Sequence, residues 1–292
     1  DITADGNDTS GIFIDNKHNV TISAVNISGF QGSSESNPYA GIYVSGDNAS
    51  VTIDDINISN SDVGVLVTGG QVSFANLTIK NSTYQGMNIK NATVTTKDLT
   101  ITDSGLQGLY LENANFSADN INISTSGAEG IYQKGGSLKV SDNVTVTDST
   151  KDGIHLEDTD LTASSLNITH SGGYGLYHNG GTSTIDSDVI VSDSEKDGIH
   201  SENVNLSAAS VDVQRSGGYG VYHDGGLFNI NGPLSISGSS LTGLWGSHTN
   251  FDITGDVAID QSDSTEGSGL DLTGGSFSTS GDVTVTNSKD NG

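Results

Sequence analysis

Residues 153–242 say one thing four times: GIHLEDTDLTASSLNITHSGGY (153–174), GLYHNGGTSTIDSDVIVSDSEKD (175–197), GIHSENVNLSAASVDVQRSGGY (198–219) and GVYHDGGLFNINGPLSISGSSLT (220–242). Units one and three match each other better than either matches its neighbour, so a longer repeat of 198 − 153 = 45 residues runs through the same stretch. Self-similarity at such a period marks a solenoid, in which a unit buries its apolar face only by stacking on the next.

Working outward, the glycine that opens each unit recurs at Gly11, Gly41, Gly64, Gly86, Gly108, Gly130, Gly153, Gly175, Gly198, Gly220, Gly243 and Gly269. The intervals are 22 or 23 residues from Gly41 to Gly243, with longer ones of 30 at the start and 26 at the end. Those two hold inserted loops, around Gln31 to Ala40 and around Asp263 to Ser268. Within a unit the apolar residues alternate with period two, which specifies strands rather than helix. In the unit from Gly108 the inward set is Leu109 and Leu111, Phe116 and Ala118, Ile121 and Ile123, hence three short strands separated by turns rich in Gly, Asn, Asp and Ser. Each strand can pair only with its counterpart in the next turn. The predicted fold is therefore all-β: a right-handed parallel β-helix of three parallel sheets and about 12 turns of 22–23 residues, one domain over 1–292.

Two columns carry the register. The residue after each opening glycine is aliphatic, from Ile12 to Leu270, and is assigned to the core. A serine closes the third strand at Ser61, Ser82, Ser104, Ser126, Ser149, Ser171, Ser194, Ser216, Ser239, Ser262 and Ser288, where its hydroxyl is expected to satisfy turn backbone groups.

The chain has 292 residues, 10 Lys and Arg against 36 Asp and Glu, and a formal charge of −26. That charge argues against nucleic acid and against contact with an anionic membrane surface. The 32% hydrophobic content would suit a disordered chain. A one-dimensional stack, however, needs only a thin apolar column. Without cysteine there is neither disulfide nor thiolate metal site. The first residues lack a signal sequence and Gly292 is where a further unit would open, so the chain reads as an excerpt of a longer protein.

Chemistry is sought two residues after each opening glycine, where alternation turns the side chain outward. Tyr110, Tyr132, His155, Tyr177, His200, Tyr222 and Trp245 fall there and form the candidate ligand-binding stripe. The other two faces present mainly Ser, Thr, Asn and Asp, as at Thr95, Ser117, Thr162, Asn122 and Asn167. Flat rings beside hydroxyl and amide groups suit sugar rings or a partner protein, although aromatic residues also favour strands for their own stacking. His155 and His200 lie two turns, ~9.6 Å, apart, too far to share one metal ion, and His178 and His223, one register later, point the other way. Glycoside hydrolysis needs two carboxylates about 5 to 10 Å apart. Asp152 with Asp197, and Glu157 with Glu202, meet that spacing merely by being two turns apart. One arginine and nine lysines leave little to hold an acidic polysaccharide. Calcium at the acidic corner of Asp186, Asp188 and Asp193 competes with plain solvation. The residues point to no catalytic group and to no cofactor.

Repeats of the form G-I-Y-x…V-T-I…I-N-I-S-x-S, with no Cys, few Arg and abundant Gly, Ser, Thr and Asn, resemble the passenger domains of bacterial autotransporter adhesins over essentially the whole chain. The scaffold is shared with filamentous exoproteins, phage tailspikes and polysaccharide lyases. The resemblance implies export to the cell surface, a membrane barrel beyond Gly292, and adhesion, aggregation or biofilm formation. The partners it implies are host glycans, extracellular-matrix proteins or another copy on a second cell. The competing class is a secreted or virion-associated β-helix enzyme acting on polysaccharide.

Overall fold

A computed structural model describes residues 1–4, 10–261 and 266–292 of the chain. Strands and turns account for its regular structure, as a parallel β-solenoid of about twelve turns distributed over two compact units, Asp1–Asp142 and Asn143–Gly292. Ser262 of the serine column and Asp263 of the second insert lie outside the described residues.

In the first unit the alternating pattern becomes three ladders in register. The first stacks Ile42, Val65, Met87, Leu109 and Ile131, each on the next. The second stacks Val51, Val72, Val94, Phe116 and Leu138. The third stacks Ile27, Ile58, Ile79, Ile101 and Ile123. All of these pairs are parallel and all of these side chains are buried, each burial stabilising by roughly 1.5–3 kcal/mol. The insert after Gln31 is tied down by Asp62, whose carboxylate accepts hydrogen bonds from the Ser33 and Gly32 amides, at 2.9 and 3.2 Å, and from the Ser33 hydroxyl. Burial alone would push the Asp62 carboxyl up, but those donors hold it below its usual value.

The second unit repeats the plan. Ile154, Leu176, Ile199, Val221, Leu244 and Leu270 form one ladder. Ile168, Val191, Val213, Ile236, Ile259 and Val285 form another. Where a 23-residue turn meets its 22-residue neighbours, the register slips between Ile185 and Asp188, which places the extra residue between the second and third strands.

The strands are not uniformly short. Ile154–Ser171, Leu176–Ser194 and Ile199–Ser216 run without a break across the corners. A corner here is one left-handed residue, Asp158 (φ 48°) or Asn203 (φ 55°), alternating with the glycine pairs at Gly180 and Gly225. So small a deviation leaves turn-to-turn pairing intact on both sides, and three strands merge into one.

The expected role of the serines is corrected. The hydroxyl oxygens of Ser61, Ser82, Ser104, Ser149, Ser171, Ser194, Ser216 and Ser239 are buried without a hydrogen-bond partner. The turn backbone is already satisfied by the ladder, as in the bond from the Gly172 amide to the Ser149 carbonyl at 2.8 Å. Space is what selects serine. A Cβ on Gly153 would stand 2.7 Å from Ser171 Oγ and 2.7 Å from the Gly175 carbonyl oxygen, and would collide with Ile168. The opening glycine and the closing serine are therefore the two small residues of one crowded inner corner.

Candidate functional site

The alternation that buries Ile154 and Leu156 turns His155 between them outward, and the parallel register does the same to its counterpart in every turn. In the second unit this produces an unbroken ladder of rings. His155 lies 4.4 Å from Tyr177, Tyr177 5.4 Å from His200, His200 4.3 Å from Tyr222 and Tyr222 4.3 Å from Trp245, with interplanar angles of 21°, 11°, 2° and 8°. Two corner tyrosines lean on the ladder at a tilt. Tyr174 meets Tyr177 and His200 at 5.4 and 4.7 Å, and Tyr219 meets Tyr222 and Trp245 at 5.6 and 6.2 Å. In the first unit Tyr110 and Tyr132 stack at 5.3 Å, with Lys90 Nζ 5.2 Å from the Tyr110 ring centre and 2.9 Å from the Glu112 carboxylate.

The rings of the stripe are thus half-buried, and in the second unit they spend their faces on one another. What the ladder turns to solvent is mainly ring edges and phenol groups. A sugar ring laid flat on each aromatic in turn, the picture that a row of outward rings suggests, does not fit this geometry.

Both histidines of the ladder are clamped between carboxylates. His155 Nδ1 lies 2.7 Å from Asp152 Oδ2 and its Nε2 3.3 Å from Glu157 Oε1. His200 repeats this with Asp197 at 2.7 Å and Glu202 at 3.3 Å. The other oxygen of each aspartate accepts a backbone amide at 2.8 Å, from Tyr174 and from Tyr219. Burial favours the neutral imidazole of His155, but Asp152 and then Glu157 outweigh it and raise its pKa above the ordinary value. The clamp follows from a short motif, Asp-Gly-Ile-His-x-Glu, present at 152–157 and again at 197–202. That motif was the available signal for the pairing, and the spacing of the acids across turns was not.

These contacts also decide what the acids can do. Asp152 and Asp197 each hold a histidine ring and a backbone amide. At the acidic corner, Asp193 is bound by Arg215 through two bonds of 2.5 and 2.8 Å, Asp188 accepts the Ser210 hydroxyl at 2.6 Å, and Asp186 is exposed. Among the described residues no group of three or more His, Asp or Glu is placed to hold a metal ion.

The inward histidines are a separate population. His178 is fully buried, with Nδ1 2.8 Å from Ser183 Oγ and Nε2 2.9 Å from the Thr159 carbonyl oxygen. His223, equally buried, has Nδ1 2.5 Å from Ser201 Oγ, and its ring meets those of Phe228 and Phe251 at steep angles of 73° and 64°. Burial depresses both, His223 to about 4.

Residues 63–200 match the family model described as right handed beta helix region. That stretch is similar to right-handed β-helices. The handedness expected from parallel crossovers is the one this family carries in its description. No curated protein and no solved structure matches the chain.

Proposed function

We propose that this chain is a non-catalytic adhesive segment of a cell-surface or secreted protein, acting in the manner of the autotransporter passenger domains that its repeats resemble. The observation that carries the reading is the five-membered ring ladder from His155 to Trp245, repeated on one face and rimmed by carboxylates. Aromatic side chains commonly dominate binding energy, and a ladder that recurs every ~4.8 Å offers an extended partner several weak contacts at once. The carboxylate rim and the charge of −26 favour a basic protein surface, in the matrix or on a host cell, over an acidic glycan. Non-catalysis is supported by the state of the acids, since Asp152 and Asp197 are each fixed by two hydrogen bonds.

The test replaces Tyr177, Tyr222 and Trp245 together by Ser and, separately, Thr95, Ser117 and Thr162 by Ala, in a bacterial adhesion and sedimentation assay. The aromatic variant is expected to lose adhesion at least several-fold with its circular dichroism spectrum retained, and the polar variant to adhere like the parent. Loss in the polar variant alone would move the contact surface to the Ser/Thr face.

A further inference from the structure

The 45-residue repeat builds one constellation twice in the second unit, and the differences between the copies are informative. The first copy holds Asp152, His155, Tyr174 and Tyr177; the second holds Asp197, His200, Tyr219 and Tyr222. Tyr174 and Tyr219 are placed alike, each amide giving 2.8 Å bonds to the aspartate and each ring tilted on the ladder. In the first copy Lys196, whose amide bonds the Gly173 carbonyl at 3.0 Å, brings its ammonium to 4.6 Å from the centre of the Tyr174 ring. This is a cation–π contact. In the second copy the residue at that place, its amide bonding the Gly218 carbonyl at 3.1 Å, is Leu241.

The surroundings of Tyr219 are also richer in π-surface, and Asp197 remains on its amide. Its ladder partner one turn on is Trp245, where Tyr174 has His200. Indole attracts cations more strongly than the other aromatic side chains. Burial, and then the charges of Asp224, Glu202 and Asp197, push the phenol of the adjoining Tyr222 up, so these carboxylates act on this point of the ladder.

We propose that Tyr219, with Tyr222 and Trp245 beside it, is a docking site for the primary ammonium of a lysine side chain presented by a partner molecule, in the position that Lys196 takes on Tyr174. The proposal rests on the adhesive reading of the stripe and names the chemistry it recognises. A primary ammonium on a flexible stem is the group that the fold itself places on the equivalent tyrosine.

The chain's only tryptophan, Trp245, is the reporter. Its fluorescence is titrated, at constant ionic strength, with N-acetyl-lysine methylamide, with the same compound acetylated on its side chain, and with tetramethylammonium. The lysine derivative is expected to saturate the signal, with the acetylated form at least tenfold weaker and tetramethylammonium no tighter than lysine. Leu241→Lys, which supplies the missing internal cation, is expected to weaken binding at least fivefold. Lys196→Leu is expected to open the first copy, so that the Tyr174 ring resonances in NMR shift on titration where the parent's do not. A response equal for charged and acetylated ligands, tighter binding of tetramethylammonium, or an unaffected Leu241→Lys would overturn the proposal. If adhesion falls in the Tyr177, Tyr222 and Trp245 variant while Leu241→Lys adheres like the parent, the ammonium site is wrong and the adhesive reading stands. If that aromatic variant adheres normally while the titration saturates, the adhesive reading is wrong and the ammonium site stands.

Discussion

His155 Nδ1 lies 2.7 Å from Asp152 Oδ2, three residues back across the opening glycine, while its Nε2 faces Glu157. Both ring nitrogens thus meet carboxylates, an arrangement that favours imidazolium. Because folding raises the pKa of His155, the stabilisation is fully present below the unfolded value near 6.5 and is lost as pH rises through the folded value. Melting temperatures of the parent and of His155→Gln, measured from pH 5 to 9, are expected to differ most at the acidic end and to converge on the alkaline side. A gap independent of pH would remove the clamp as a charge-dependent contact.

His223 acts with the opposite sign. Its folded pKa is depressed to about 4, so between roughly pH 6.5 and 4 the unfolded chain takes up a proton that the native core refuses, and stability falls as pH falls. The full effect is on the order of 3 kcal/mol by the conversion of 1.36 kcal/mol per pKa unit. His223→Met is expected to flatten the acid limb of the stability profile, read by urea denaturation at pH 4 to 7. An acid limb as steep as the parent's would place the sensitive proton elsewhere.

The inner corner gives a paired test. Ser171→Ala removes a buried hydroxyl that has no partner, so it is expected to leave stability unchanged or raise it by about 1 kcal/mol. Gly153→Ala drives a methyl into Ile168, Ser171 Oγ and the Gly175 carbonyl, the last of which cannot move without shifting the ladder, and is expected to cost at least about 2 kcal/mol. Thermal melts of the two variants in opposite order would reverse the assignment of which residue fills the corner.

Facing directions are tested in the first unit. Leu109→Asp leaves a charge in a column of fully buried aliphatic side chains and is expected to unfold the neighbouring turns. Thr95→Asp points into solvent beside Ser73 and is expected to melt within about 1 kcal/mol of the parent. Equal melting of the two would invert inside and outside.

The period, the register and the direction of each strand residue were legible in the chain. Leu109 inward and Tyr110 outward follow from alternation along a strand, a local property, and the fixed interval of 22 or 23 residues brings like onto like in every turn. Tertiary structure decided what the outward residues do with one another. Rings brought to about 4.3–5.4 Å by strand pairing bury each other's faces, so a row that looks open in sequence becomes a closed stack. Glu157 reaches His155 by alternation, two residues on along the same strand, whereas Asp152 reaches it because the chain bends at the corner beside Gly153, a geometry that alternation does not contain. The hydroxyls of Ser61, Ser149 and Ser171 stay unpaired for a related reason: their partners in a free turn would be backbone groups, and in the stack those groups already belong to the next turn.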